Sequence, residues 1–371
     1  MPPTDYKSLT LVLFAFIGNA RLLGIDLVLA TIFPTALLLW SGRRWSIPSN
    51  TGIFFVIISM LMIILALRSY DIQIWYFEPY FIWPIKALIL TTLVITYRIP
   101  TWPIGNTLIL TAFVIILLAM GDVENGRFNS LFGPNMLYRI FGILLLLTLM
   151  SQSKSKLNHF THYTICGIAV FGIFLTASAG ALVVLVVILI AYVSTKVSTW
   201  RLVLYTIPST LITYLLLRTT VSSEVIDNID ILSRLALKVS TMSTNVRLAG
   251  WSEIINQPMS FFGYDHYHYN QVWGKGYLYP HNIYVELYAY YGLLGIVAIV
   301  AISTALLKSL DRIKMGEPLS ITFLILLIGS MLSGDLSDNY GVIGLAVGII
   351  MRPKINKVQP VAFVDNRSGT A

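Results

Sequence analysis

The sequence predicts an all-α protein, a polytopic transmembrane bundle of about 10 to 12 helices. The composition is the first reason, because 56% of the 371 residues are hydrophobic and only 11% are charged. Soluble domains carry roughly 25% charged residues. The mean hydropathy is +0.77. Apolar runs of about 20 residues recur along the chain, which is the length that a helix needs to cross a bilayer.

The apolar segments divide the chain into four parts. These are an N-terminal bundle (1–217), a long polar loop (218–282), C-terminal membrane helices (283–351) and a polar tail (352–371). The first, seventh and last segments are short, so about ten or eleven full spans fit the pattern as well. The predicted spans are residues 8–20, 22–40, 52–70, 80–97, 103–121, 136–150, 162–177, 181–195, 200–217, 283–307, 319–333 and 340–351.

Charged residues are distributed unevenly over the predicted loops. With the N-terminus in the cytoplasm, the inner loops hold most Lys and Arg residues, and the short outer loops hold acids. This is the positive-inside pattern of membrane proteins, and it accounts for the net charge of +8 without a nucleic-acid partner. We therefore expect both termini in the cytoplasm. The acids of the short outer loops are Asp71, Glu78, Asp122, Glu124, Asp335 and Asp338.

The longest polar segment runs from Arg218 to Pro280 and falls on the outer side. Loops of this length usually carry a function or a structure of their own. The first half has apolar residues at helical spacing, which predicts an amphipathic helix on the membrane surface. The second half is aromatic and includes Tyr264 and Tyr267. Such residues favour membrane interfaces, and their ring faces also bind sugars.

The most informative motif lies where this loop meets an apolar helix. Pro280-His281-Asn282 is followed, after nine intervening residues, by Gly292-Leu293-Leu294-Gly295. Pro280 suits the first turn of a helix, so His281 and Asn282 are predicted to project from the helix mouth. A neutral imidazole, with a pKa near ~6.5, can accept a proton from an attacking hydroxyl group. A helix-capping or interfacial histidine is the alternative.

Several arginines near the same boundary are candidates for binding an anion. Arg247 and Trp251 are four residues apart, on one face of a predicted helix. Arginine binds phosphate oxygens bidentately, although a surface arginine beside a tryptophan is the alternative. Arg127 lies in an outer loop, and Arg139 falls one turn inside the next span, where it needs a partner, a water-filled cavity or an anionic ligand. Asn135 is predicted to cap that span or to contact a ligand.

Other polar positions give weaker signals. The small residues of Thr176-Ala177-Ser178-Ala179-Gly180 predict close helix packing or a tight turn. Asp26 and Lys86 lie within apolar runs, as members of ion pairs whose partners the sequence leaves open. His266 and His268 have no cysteine or Asp-x-Asp cluster near them, so no metal site is expected, with a Zn or Mn site as a minor alternative. No Gly-rich phosphate loop is present, so no nucleotide cofactor is expected.

With these motifs in order, the chain resembles the O-antigen ligase/polymerase superfamily of bacterial envelope glycosyltransferases. The order of the motifs and the long outer loop both agree with that family. Two positions depart from it: Ala179 stands where the family often has arginine, and Gly263-Tyr264-Asp265 where it often has Gly-x-Gly. The matching motifs are Phe132-Gly133-Pro134-Asn135, the turn at 176–180, Arg247-x-x-x-Trp251 with Pro258 and Gly263, and His281-Asn282 with Gly292-x-x-Gly295.

The resemblance implies a GT-C-like fold in the bacterial inner membrane and a metal-independent, cofactor-free glycosyl transfer at the periplasmic face. The donor would be a glycan on undecaprenyl diphosphate, and the acceptor a sugar hydroxyl on another lipid-linked repeat or on lipid A-core. His281 would be the general base. Arg247, Arg127 and Arg139 would hold the diphosphate, and Asn135, Trp251, Asn282, Tyr264 and Tyr267 would support or contact substrate.

Three further questions concern the type of protein. Polymerase is favoured over ligase, because the outer loop has no large cationic patch for an anionic lipid A-core. A transporter or flippase of lipid-linked sugars would need charged residues at mid-membrane and a repeat symmetry that the sequence lacks. In a scaffold subunit, the arginines and His281 would be merely interfacial. The sequence leaves a chain-length regulator open as a partner.

Overall fold

The described residues of the chain lie mostly in helices. A computed structural model describes residues 6–17, 21–22, 25–26, 56–57, 59–67, 82–96, 102, 104–124, 127–151, 159–194, 246–264, 280–334, 336 and 338–352. Besides a helical segment at 59–67, the helices are α1 (Tyr6–Ile17), α2 (Ile82–Thr96), α3 (Ile104–Ala119), α4 (Pro134–Ser151), α5 (His159–Leu175), α6 (Ala179–Ser194), α7 (Val246–Ile255), α8 (Ile283–Lys314), α9 (Pro318–Ser330) and α10 (Tyr340–Met351). The prediction of an all-α fold is confirmed.

Two short antiparallel hairpins interrupt the helices. β1 (Arg21–Leu22) pairs with β2 (Ile25–Asp26), and β3 (Asp122–Glu124) pairs with β4 (Arg127–Asn129). The predicted span 22–40 is therefore wrong at its start, because its first residues form a hairpin; residues 27–40 lie outside the described part. The predicted span 200–217 and the predicted amphipathic helix of the long loop also lie outside it.

The core is apolar and is centred on α4 and α10. α4 packs against α5, α6 and α9, while α10 packs against α2 and α8. Leu137, Phe141 and Leu144 of α4 are fully buried, as is Trp83 of α2. Most helix bounds agree with the predicted apolar segments to within a few residues, because long apolar runs with few helix breakers favour helices in both water and lipid. α8 is longer than predicted, since it ends at Lys314 rather than at 307.

α8 contains a sharp break at Gly292, whose φ of 52° and ψ of −124° are not helical. The segment before α8 fits into this break: the Leu293 amide donates to the Phe261 carbonyl oxygen (3.1 Å), and the Tyr264 amide donates to the Ala289 carbonyl oxygen (2.7 Å). The amide and carbonyl groups that lose their helical partners at the break therefore bond to the segment at 260–264, as buried polar groups require. We call residues 283–291 α8a and residues 293–314 α8b.

Among the described helices, α8 alone combines the length and composition of a membrane span, with a mean hydropathy of 2.2 over its best window. The break confines the continuous part to α8b, which at about 1.5 Å per residue extends roughly 33 Å. α8b carries an exposed apolar stripe that includes Leu293, Val297, Val300 and Leu307. The other apolar helices are shorter. The prediction of about 10 to 12 membrane spans stays a prediction.

The two ends of the bundle differ in chemistry. At one end, Arg352 bonds to the Glu317 carboxylate (2.8 Å) and to the Val94 carbonyl oxygen (3.2 Å), and Lys308 donates to the Ile350 carbonyl oxygen (3.1 Å). Burial lowers the pKa of the Arg352 guanidinium, and the Glu317 charge opposes that shift. This end gathers the basic residues that the sequence predicts to face the cytoplasm.

The opposite end gathers aromatic and polar side chains. The Trp83 indole donates to the Tyr291 hydroxyl (2.9 Å), which joins α2 to the end of α8a. The Tyr340 hydroxyl donates to the Phe14 carbonyl oxygen, which joins α10 to α1. The buried Lys86 ammonium lies 5.7 Å from the centre of the Tyr340 ring. The motif around His281 belongs to this end, because it immediately precedes α8a.

Candidate active site

His281 lies in a short turn immediately before α8a. Its side chain is half-buried, and its backbone adopts the left-handed conformation with φ = 57°. This conformation costs a residue with a side chain roughly 1–2 kcal/mol, although histidine tolerates it better than most residues. A strained backbone of this kind persists only where its surroundings hold it, and such positions cluster at functional sites.

Two side chains hold the turn around His281. The Trp251 indole, on α7, donates to the Pro280 carbonyl oxygen at 2.8 Å. On the other side, the Asn282 amide nitrogen donates to the Met331 carbonyl oxygen at 3.2 Å, which ties the turn to the end of α9. Trp251 thus has a definite structural role in positioning the residue next to the imidazole.

Asn282 is the N-cap of α8. Its side-chain oxygen accepts hydrogen bonds from the amides of Tyr284 (2.9 Å) and Val285 (3.3 Å), which have no partner within the helix. The prediction that Pro280 occupies the first helical turn is wrong, because Asn282 takes the cap and delays the start to Ile283. His281 is thereby left outside the helix, in the turn.

The Gly-x-x-Gly motif is required by close backbone contacts. A Cβ on Gly292 would lie 1.9 Å from the Ser260 carbonyl oxygen, and a Cβ on Gly295 would lie 1.9 Å from the Leu287 carbonyl oxygen. The second contact arises because α8b turns back on α8a at the break. The motif therefore encodes the shape of the chain beside His281 rather than a group that binds ligand.

Arg139 is fully buried one turn into α4, and its guanidinium is surrounded by neutral protein acceptors. It donates to the Asn339 side-chain oxygen (2.7 Å) and to the carbonyl oxygen (2.8 Å) and hydroxyl (3.0 Å) of Ser333. These bonds supply the partner that the sequence requires for an arginine in an apolar helix. A diphosphate would have to displace them, so its binding to Arg139 stays a prediction that this arrangement does not favour.

Arg127 and Asn135 form a polar cluster at the start of α4. The Asn135 side-chain oxygen accepts from the Arg127 guanidinium (3.2 Å) and from the Ser178 hydroxyl (3.4 Å). The prediction that Asn135 caps the helix is wrong, because α4 begins at Pro134 and the Gly133 carbonyl oxygen accepts the first helical amides. Proline suits this first position since it has no amide hydrogen to satisfy.

The turn at 176–180 packs as the sequence predicts. Ala177 has a positive φ of 45°, and a Cβ on Gly180 would lie 2.6 Å from the Tyr138 hydroxyl. The small residues therefore allow both the tight turn and the close approach of α6 to α4. The same turn brings Ser178 to Asn135.

Hydrogen bonds connect several predicted site residues through the α9–α10 turn, the described residues from Met331 to Asn339. Asn282 bonds to Met331 in this turn, and Arg139 bonds to Ser333 and Asn339. Arg127 reaches the same end through Asn135, one turn before Arg139 on α4. The structure thus brings His281, Arg127 and Arg139 to one end of the bundle.

Glu286 is a residue of this site that the sequence analysis missed. Its carboxylate is fully buried in the first turn of α8, and it accepts from the Leu336 amide at 3.0 Å. A carboxylate inside a predicted span was the signal, because such groups are costly in an apolar environment. Glu286 and Arg139 thus both hydrogen-bond to the same α9–α10 turn, at Leu336 and at Ser333 and Asn339.

The remaining predicted residues are less defined. Arg247 lies in α7 one turn before Trp251, and its side chain is outside the described part, as is Tyr267. The Tyr264 hydroxyl donates to the Pro258 carbonyl oxygen. Asp26 lies in β2, and the Lys86 ammonium lies over the Tyr340 ring.

Within the described residues, no three His, Cys, Asp or Glu side chains are grouped as metal ligands would be. His266 and His268 lie outside these residues. Comparison with known protein families, curated proteins and solved structures finds no match to this chain.

Proposed function

We propose that this chain is a metal-independent glycosyltransferase of the bacterial inner membrane that polymerises lipid-linked glycan repeat units at the periplasmic face. The observation that carries this proposal is His281, a half-buried imidazole whose strained backbone is held from two sides. A strained turn lowers the stability of the fold, and such turns are found mostly where the position of a side chain is needed for function. The order of the sequence motifs supports the choice of reaction.

In the proposed reaction, the acceptor hydroxyl attacks the anomeric carbon of the donor sugar. The new C–O bond forms as the bond from that carbon to the diphosphate oxygen breaks, and its electron pair leaves on undecaprenyl diphosphate. The hydroxyl proton passes to His281, a step that typically contributes roughly 10²–10⁴-fold. Arg247 and Arg127 bind the diphosphate and stabilise its growing charge, as preorganised cations do.

The proposed location needs a membrane-embedded bundle of about 10 to 12 spans. The exposed apolar stripe of α8b supports it, because apolar faces of this kind are stable in lipid and unfavourable in water. The contrast between the two ends supports the orientation, with Arg352, Lys308 and Lys314 at the cytoplasmic end. The donor lipid would then stay in the bilayer while its sugars extend into the periplasm.

A transporter fits the structure less well. Transport requires ionisable groups that line a path across the middle of the membrane. The buried Arg139 and Lys86 instead lie about one turn into α4 and α2, towards the end of the bundle that holds His281, and Arg139 bonds to protein acceptors. This arrangement supports an anchored reaction centre at one boundary.

The test compares His281→Asn with His281→Ala in a strain whose own gene is deleted. Asparagine tolerates the left-handed backbone, so His281→Asn removes the imidazole and keeps the turn. We expect both variants to insert normally and to leave single repeats on the lipid core in gels of surface glycans. Lipid-linked polymer without any repeats on the core would instead identify a ligase. A wild-type ladder from His281→Asn would overturn His281 as the base.

A further inference from the structure

Four large apolar side chains are exposed between the end of α7 and the break in α8. They are Ile255, Met259, Phe261 and Phe262, each more than half exposed, and we call them the 255–262 patch. The rings of Phe261 and Phe262 contact each other edge to face, with centroids 4.8 Å apart. Clusters of large apolar side chains on a surface usually mark an interaction site.

The patch is continuous with the apolar stripe of α8b. The Phe261 carbonyl oxygen accepts from the Leu293 amide at 3.1 Å, and Leu293 is the first exposed residue of that stripe. Gly263 and Gly292 allow the two backbones to approach closely, because a Cβ at either position would clash with the other segment. If lipid surrounds the apolar stripe of α8b, the adjoining 255–262 patch therefore lies in contact with lipid as well.

The charges around the patch indicate how it would bind. Between Ser252 and Tyr264 the sequence contains one charged residue, Glu253, and no Lys, Arg or His. Electrostatic attraction to anionic lipids needs basic residues near the surface, and residues 252–264 contain none. Its binding must come from the insertion of apolar side chains.

We propose that the 255–262 patch inserts into the outer leaflet, at the level where lipid headgroups meet acyl chains. This proposal rests on the membrane location proposed above. Phe and Ile side chains suit this shallow depth in interfacial segments. The patch would hold the break in α8, and with it the His281 turn, at the lipid–water boundary where the diphosphate of a lipid-linked donor lies.

The test places an environment-sensitive fluorophore on single cysteines of the full-length protein. Cys166 is the one cysteine in the chain, so Cys166→Ala gives the background for Phe262→Cys and Met259→Cys. Glu253→Cys is the matched control, since it is exposed on α7 about 200° around the helix from Ile255. The labelled proteins are placed in phosphatidylcholine nanodiscs that contain lipids with a nitroxide near the headgroup end of the acyl chain.

We expect nitroxide lipids to quench the labels at 259 and 262 at least about twofold more strongly than the label at 253, and aqueous iodide to show the reverse order. Adding phosphatidylglycerol should leave both results unchanged. Strong iodide quenching at 259 and 262 would overturn the proposal. Shielding from both quenchers would also overturn it, because a protein partner or second copy would then cover the patch.

This readout does not depend on turnover. A patch exposed to water would contradict the anchor and leave the glycosyltransferase proposal intact. Conversely, an active His281→Asn variant would contradict the assigned base and leave the anchor intact.

Discussion

Arg139 and His281 occupy neighbouring parts of the same end of the bundle, yet their surroundings differ. The Arg139 guanidinium is enclosed by Ser333 and Asn339, whereas the His281 side chain is half-buried in a turn that protein contacts hold at its backbone. A buried charge that is matched by hydrogen bonds serves the fold. A partly exposed imidazole in such a turn can contact a substrate, as the proposed reaction requires.

Replacing Arg139 with lysine separates these roles. Lysine keeps the charge, but it lacks the planar guanidinium whose N–H groups donate to Asn339 and Ser333 at the same time. We expect Arg139→Lys to lower the free energy of unfolding by about 2 to 4 kcal/mol, measured by thermal unfolding in detergent. The KM for the lipid-linked donor should stay unchanged, whereas Arg127→Lys should raise it. Unchanged stability with a raised KM in Arg139→Lys would instead identify Arg139 as a diphosphate ligand.

Asn282 has two structural roles that two substitutions distinguish. Serine is a good N-cap but is too short to reach Met331, so Asn282→Ser should lose the tie to α9 and keep the cap. Asn282→Ala should lose both, with a further loss of about 1 kcal/mol in stability. Hydrogen exchange of the Tyr284 and Val285 amides measures the cap directly. Equal exchange protection of these two amides in Asn282→Ser and Asn282→Ala would contradict the separate capping role of Asn282.

At the level of elements, the break in α8 determines how the segment at 260–264 packs against the helix. A continuous helix would carry α8b away from α8a, and the segment at 260–264 would lose the amide and carbonyl groups that it bonds. Non-helical backbone at membrane depth is stable only where protein or a water-filled cavity supplies partners. Here the segment from the preceding loop supplies them.

Glycine substitutions test this break. Gly292→Ala would place a methyl group against the Ser260 carbonyl oxygen at a positive φ, so we expect a loss of at least about 2 kcal/mol in stability. The control is Gly167→Ala in α5, where nothing lies within 4 Å of the new Cβ. That change should be neutral or stabilise by up to about 1 kcal/mol. Equal thermal stability of the two variants would contradict the required break.

The whole molecule has a basic end and an aromatic end, and the proposed function depends on their orientation. The residues near Arg352 should face the cytoplasm and the His281 turn should face the periplasm. The link between α9, α10 and α2 through Arg352 would then stabilise the inner face, far from the reaction.

Cysteine labelling tests this orientation in intact cells. In a Cys166→Ala background, a membrane-impermeant thiol reagent should label Glu253→Cys from outside. It should label Met315→Cys, which is exposed just after α8b, only once the inner membrane is permeabilised. Labelling of Met315→Cys in cells with an intact inner membrane would reverse the topology and remove the basis for a periplasmic active site.

The helices and the motif at His281 were predictable, since apolar runs and residue order are local properties of a sequence. Glu286 and the cap at Asn282 were in principle readable, because an acid in a span and an asparagine before one are local signals too. The hydrogen-bond partners of Arg139 could not be predicted, because Ser333 and Asn339 are distant in the chain and no sequence pattern relates them to α4.

The sequence thus specified the helical fold, most helix bounds and the position of the candidate base just before an apolar helix. The break at Gly292, the left-handed backbone of His281 and the enclosure of Arg139 depended on tertiary contacts. Each arises where two segments far apart in the chain meet at a backbone atom: Ser260 with Gly292, Trp251 with Pro280, and Ser333 with Arg139. Hydrophobic periodicity and helix propensity describe a residue and its near neighbours in the sequence, so they do not predict contacts between distant segments.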